Sequence, residues 1–176
     1  MRPAFAAAAL ALAIASCTGA RPTKPTTPSD VAAGAPLRFS FEAVDGRPIS
    51  SEAFADRVTI IGFFTTYDVH SQVAARFLAA LARRHTPPVN VAALMLESTD
   101  NKPLVEAFAR AIALPYPVAI ADAATIAGEG PFAGLHHVPS VVILDRRGRE
   151  AFRHVGLVDQ AALEAAVRDV EKRPDQ

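Results

Sequence analysis

The chain has 176 residues but only one cysteine, Cys17, and no tryptophan. One cysteine cannot close an intramolecular disulfide or build a thiolate zinc site. Neither sign of charge is in excess. The 18 Lys+Arg balance 18 Asp+Glu, for a formal net charge of zero. That leaves no overall electrostatic footprint for a nucleic acid partner. No internal repeat is visible, and after residue 17 no apolar run is long enough to cross a bilayer. The length suits one domain with appendages rather than two domains. What the chain does have is apolar surface, 51% of its residues. The first twenty residues inflate that figure, and alanine supplies much of the remainder, so several helix faces are expected to be small.

The N-terminus reads as an export signal. Arg2 is a short positive region, and Ala4 to Ala15 is an uninterrupted apolar run, too short for a membrane span but of signal-peptide length. It ends in Ile14-Ala15-Ser16-Cys17, which resembles the bacterial lipobox: an aliphatic residue, two small residues that fit a signal peptidase cleft, then the cysteine that takes the lipid. Residues 1–17 are therefore expected to be a lipoprotein signal with lipidation at Cys17. The alternative is ordinary cleavage near Ala20, leaving a soluble periplasmic protein. Acylation by more than one chain gives stable anchoring. Thr18, where an Asp would favour retention at the inner membrane, leans the expectation toward the outer membrane. Residues 18–36 hold Pro22, Pro25, Pro28 and Pro36 among threonines and have no apolar periodicity, as expected of an extended tether. The remaining residues, 37–176, form the domain.

From residue 37 strand and helix signals alternate. Leu37, Phe39 and Phe41 alternate with polar residues like a half-buried strand, and Asp45-Gly46 is a turn signal. Val58 to Phe64 is a continuous apolar run, as in a central buried strand. Val73, Phe77 and Leu81 recur at four-residue spacing, predicting a helix buried on that face, which Pro87-Pro88 ends. Val91 to Leu96 is a second central strand. Leu104 to Ala113 reads as a helix with Leu104, Phe108 and Ile112 inward, and Tyr116 to Ile120 as a short strand or extended connection. Val141 to Leu144 and Ala151 to Val155 are strands joined by the turn Asp145-Arg146-Arg147-Gly148. Asp159 is placed to cap a last helix that buries Leu163, Val167 and Val170. Strands separated by helices imply parallel crossovers, and the terminal hairpin adds an antiparallel pair.

Two segments carry a family resemblance. Val58 to Ser71, VTIIGFFTTYDVHS, is similar to the active-site strand and helix start of TlpA-like and ResA-like envelope thioredoxins, whose pattern is an apolar strand followed by Phe-Trp-Ala-Thr-Trp-Cys-x-x-Cys. Val138-Pro139-Ser140 before VVILDRRG resembles that family's cis-proline loop. The resemblance covers roughly residues 37 to 171. It implies an α/β thioredoxin-like fold: a central mixed sheet with flanking helices, and a cis-proline loop before a C-terminal hairpin and helix. It also implies thiol-disulfide exchange, which requires a thiolate at the helix N-terminus and a second, resolving thiol. Here Asp68 stands at the position of the attacking cysteine and Ser71 at that of the resolving one. Neither side chain can form a mixed disulfide, so the dithiol chemistry is absent on chemical grounds. Asp68 is expected to cap its helix.

The first expectation is accordingly a non-redox binding or scaffolding module with no cofactor. Its groove is made by Tyr67, Val138 and Pro139, and it takes an envelope protein or an extended peptide segment. The periplasm-facing membrane, reached through the lipid anchor, is its other partner. A second expectation rests on histidines. Asp68, His70 and either His136 or His137 would converge as a nitrogen and oxygen site for copper or zinc. This is faintly similar to Sco-type copper proteins, which place a histidine close to the position of His137 but also use two cysteines absent here. His85, at a helix end, suits the dipole, and His154 reads as solvent-facing. Arg83-Arg84 and Arg146-Arg147 read as solvated ends of a helix and a hairpin.

Overall fold

The computed structural model describes residues 34–173; Cys17, its signal sequence and the tether up to residue 33 lie outside the described residues. Thr59–Phe64 (β3) forms because every residue in it can be buried on one face or the other of a sheet, and all six are buried. Ile60 and Phe64 face one apolar cluster, whereas Ile61 and Phe63 face the other. Asn90–Met95 (β4) pairs with β3 in parallel, and Val118–Ile120 (β5) pairs in parallel with β4. Ser140–Leu144 (β6) runs antiparallel to β3, and Glu150–Val155 (β7) antiparallel to β6. The sheet order is therefore β5-β4-β3-β6-β7. A small hairpin of Ser40–Glu42 (β1) and Pro48–Ser50 (β2) covers the edge of β5 through a bridge between Ala43 and Ala119. The expected central mixed sheet, with its parallel crossovers and terminal hairpin, is present.

One face of the sheet carries three helices: Val69–Arg84 (α1), Lys102–Ala111 (α2) and Gln160–Glu171 (α4). The other is closed by Phe39 and Ile49 of the β1–β2 region with Phe132 and Leu135, where Phe132 packs on Phe39 and Phe63 at ring-centroid distances of 5.4 and 5.2 Å. Ala123–Ile126 (α3) is a single short turn of helix capped by Asp122. Asp159 caps α4, accepting a hydrogen bond from Ala162 N, and Leu163, Val167 and Val170 are buried as expected.

Two helix faces differ from expectation. On α1 the fully covered residues are Ser71, Ala74, Ala75, Leu78, Ala79 and Leu81, while Val73 and Phe77 are only half-buried. The small alanines let the helix lie against β3 and β4, and the bulkier residues are displaced to its flank. On α2 the inward residues are Val105 and Phe108, and Leu104 points outward at 57% exposure. Pro103, in the first turn, fixes where the helix starts, and that start turns Val105 rather than Leu104 to the sheet. His85 does more than follow a helix end: its Nε2 lies 3.0 Å from Glu171 Oε2, with both side chains largely covered, so it ties the end of α1 to the end of α4. His154 is half-buried rather than solvent-facing, and its ring lies parallel to that of Phe152.

Gly62 leaves the space that the Phe64 ring and Leu78 of α1 fill. A Cβ there would overlap the Phe64 ring and stand 2.8 Å from Leu78 Cδ1. Gly62→Ala is expected to lower stability by about 1–3 kcal/mol through overpacking, read as a lower denaturant midpoint with an unchanged slope.

Candidate functional site

The site sits where β3 and β4 end and β6 begins. Phe64 is opposite Met95 in the parallel pair, and Phe63 is opposite Ser140 in the antiparallel one. The turn after β3 and the loop before β6 therefore emerge side by side at one pole. In the turn, Asp68 adopts an extended backbone and its Oδ2 accepts from Ser71 N at 2.7 Å, the N-cap of α1. Ser71 is fully buried, and its hydroxyl accepts from Thr65 N at 3.3 Å. In the loop, the Val138–Pro139 peptide is cis, the Ser140 hydroxyl donates to His137 O at 2.6 Å, and Gly156 N donates to Pro139 O at 2.8 Å.

Burial by itself raises the Asp68 carboxyl. Hydrogen bonds from the Ser71 hydroxyl, from Ser71 N–H and from His70 N–H, with the nearby His70 ring, outweigh it and hold the group below its usual value. An anion at a helix N-terminus is also favoured by the helix dipole. Asp68 is thus a structural carboxylate, ionised and committed to capping.

The turn has a second anchor, which the sequence pattern did not single out. Glu97, just beyond β4, is 5% exposed. Its carboxylate accepts from the backbone N–H of Thr66, from the Thr66 hydroxyl at 3.2 Å and from Asn101 Nδ2 at 3.0 Å. Gln72 Nε2 donates to Thr66 O at 3.3 Å. A buried carboxylate is tolerated when hydrogen bonds replace its hydration. The available signal was an acidic residue placed directly after a buried apolar run.

The histidines near the site fall into two separate contacts. His70 Nδ1 lies 3.6 Å from Asp68 Oδ1, but His137 is exposed and its ring packs on His136, centroid to centroid 4.3 Å. Among the described residues no group of three or more His, Cys, Asp or Glu side chains is placed to hold a metal ion. His70 thus stands beside Asp68, and His137 beside its chain neighbour His136.

Apolar side chains do gather at this pole. Tyr67 is 76% exposed and Val69 67%, Val155 is 49% exposed and Leu157 41%. Val155 lies opposite Ser140 in the β6–β7 pair, so the second pair borders the Val138–Pro139 loop. Val138 is half-buried and Pro139 buried. These four are most of the exposed large hydrophobic residues among the described residues.

No family model matches the chain, and no curated protein matches it. Solved structures do. A thiol:disulfide interchange protein of the thioredoxin family from Chlorobium tepidum is similar with a TM-score of 0.67 at 20% identity, covering 81% of this chain and 99% of that one. A DsbF homologue from Corynebacterium diphtheriae is similar with a TM-score of 0.70 at 12% identity, over 85% of this chain and 97% of its own. StoA from Bacillus subtilis gives 0.62 at 19% identity, over 75% and 97%. At these identities the likeness is one of fold. The chain has a thioredoxin-like fold, in agreement with the expectation from its sequence, and its domain holds no cysteine.

Two outcomes are expected at this site. Glu97→Ala leaves the Thr66 N–H and Asn101 without their acceptor and should cost roughly 2–4 kcal/mol in a denaturation experiment. Asp68→Asn tests the cap. A carboxyl lowered on folding contributes stability that is present above its unfolded value, near pH 4, and is lost as pH falls through the folded value below it. The variant should lose that part of the acid dependence while the wild type keeps it, as followed by thermal melts from neutral pH downward.

Proposed function

We propose that this is a thioredoxin-fold lipoprotein of the bacterial envelope that binds other proteins without redox chemistry. The observation that carries the reading is the conjunction at one pole of Asp68 and Ser71, where a dithiol would be expected, with exposed Tyr67, Val69, Val155 and Leu157. The first pair has no sulfur to exchange electrons. The apolar set is the kind of surface that marks a protein-binding site. Beside it, the Val138–Pro139 loop offers backbone to an extended segment of a partner. The lipobox at Cys17 supports anchoring at a membrane, and the interchange proteins of similar fold support a periplasm-facing location. On this reading Cys17 is consumed by lipid and plays no part in catalysis.

The absence of redox turnover is tested by insulin reduction with dithiothreitol as the electron source. The wild type should remain at background; turnover clearly above it overturns the reading. The double variant Asp68→Cys/Ser71→Cys should gain turnover that neither single variant shows, which checks that these two positions are the ones the dithiol would occupy.

Binding is tested in cells with a photo-crosslinking amino acid at Tyr67 and, in a separate strain, at Ala55, which is exposed at the opposite end of the domain. Discrete adducts from position 67 that are missing from position 55, and that fall several-fold on Leu157→Ser, support the pole as the docking surface. Equal or absent adducts at both positions remove it.

A further inference from the structure

The zero net charge of the sequence conceals a polarised domain. Asp68, Asp122 and Asp159 cap helices that start at the site pole, and Asp100 stands there too, in the turn after Glu97. At the opposite pole α1 and α4 end, with Arg83 and Arg84 closing one and Lys172 following the other. Basic groups suit helix C-termini and acidic groups N-termini, so the fold separates the charges that the composition balances.

The basic pole is one continuous surface. A cleft lined by Pro36, Arg38, Asp56 and Arg146 adjoins a second lined by Arg57, Pro87, Pro88, Arg146 and Glu171. Glu171 reaches His85, and Arg84 borders the next hollow beside it. Of its acids, Glu52 lies 3.7 Å from Arg38, Asp145 pairs with Arg149 at 2.8 Å and Glu171 holds His85, while Asp56 stands exposed among Arg38, Arg57 and Arg146 in the cleft linings. Arg57, Arg84 and Lys172 are exposed. The described chain also begins here, with Leu37 N donating to Gly148 O at 2.9 Å in the β6–β7 turn.

We propose that this arginine-rich pole docks on an anionic phospholipid surface and so turns the apolar site pole away from the membrane. The inference rests on the lipid-anchor part of the proposed function. The chain from Cys17 to Pro36 reaches at most about 70 Å when extended. The domain is thereby held near the bilayer, and the tether emerges from the basic pole. Each exposed basic group near a negatively charged leaflet adds attraction that decays within a Debye length, about 8 Å at physiological salt. Tethering supplies a high local concentration, so a weak attraction suffices to set orientation. The site pole, with its carboxylates, is repelled by the same surface.

The test uses the full chain on vesicles, with a fluorescent amino acid at Ala55 in the basic pole or at Ala124 near the site pole, and a quencher in the lipid headgroups. One sample is purified from membranes with its own N-terminus; a second, made without export, is joined through Cys17 to a maleimide lipid. On vesicles containing about one-third phosphatidylglycerol, quenching at Ala55 should exceed that at Ala124 by about threefold. The difference should vanish on pure phosphatidylcholine and in about 0.5 M NaCl. Arg57→Gln/Arg84→Gln/Lys172→Gln should abolish it, and Arg57→Lys/Arg84→Lys should keep it. Equal quenching at both positions on the anionic vesicles, or a preference indifferent to salt and to the glutamines, overturns the proposal. The maleimide-coupled sample decides it independently of natural acylation. Flotation of the exported chain against Cys17→Ala decides the anchor separately: attachment unaffected by that change sinks the lipid-anchor reading and leaves the coupled result to stand on its own.

Discussion

A single buried carboxylate holds the site together. Glu97 gathers the turn after β3 and the segment after β4 onto one acceptor. Two strand ends that would otherwise carry separate loops become one rigid edge. Thr66 is held to Glu97 and Asp68 to Ser71 N, and Tyr67 stands exposed between these two anchored neighbours.

Much of the architecture was legible because it depends on residue types in local patterns. The run Val58 to Phe64 announced a strand covered on both faces. Asp159 announced a cap, and Asp145 to Gly148 a hairpin turn. The helix faces were less legible. Counting large apolar residues on α1 favours Val73 and Phe77, but a helix close to a sheet needs small side chains at the contact, and Ala74, Ala75 and Ala79 fill that role. On α2 the start set by Pro103 decides the facing, and a spacing pattern alone does not fix a start.

The site divides in the same way. Asp68 and Ser71 were identified from their places in a resemblance and from the chemistry they lack, and the cap was expected from the residue type. Glu97 was missed because the turn residue it anchors, Thr66, lies 31 residues earlier in the chain, and no periodicity reports such a distance. The histidines were placed in the same way: the fold brings their segments to one pole, where the rings of His136 and His137 lie against each other.

The alanines of α1 have an effect at a distance. They set the standoff between that helix and the sheet, and α1 carries Asp68 at its tip. Because the helix is a stiff rod, a change in side-chain volume under its middle would swing its end like a lever. The position of the pole's carboxylate and of the neighbouring tyrosine can therefore be tuned from the interior, by substitutions that never reach the surface where a partner would feel them.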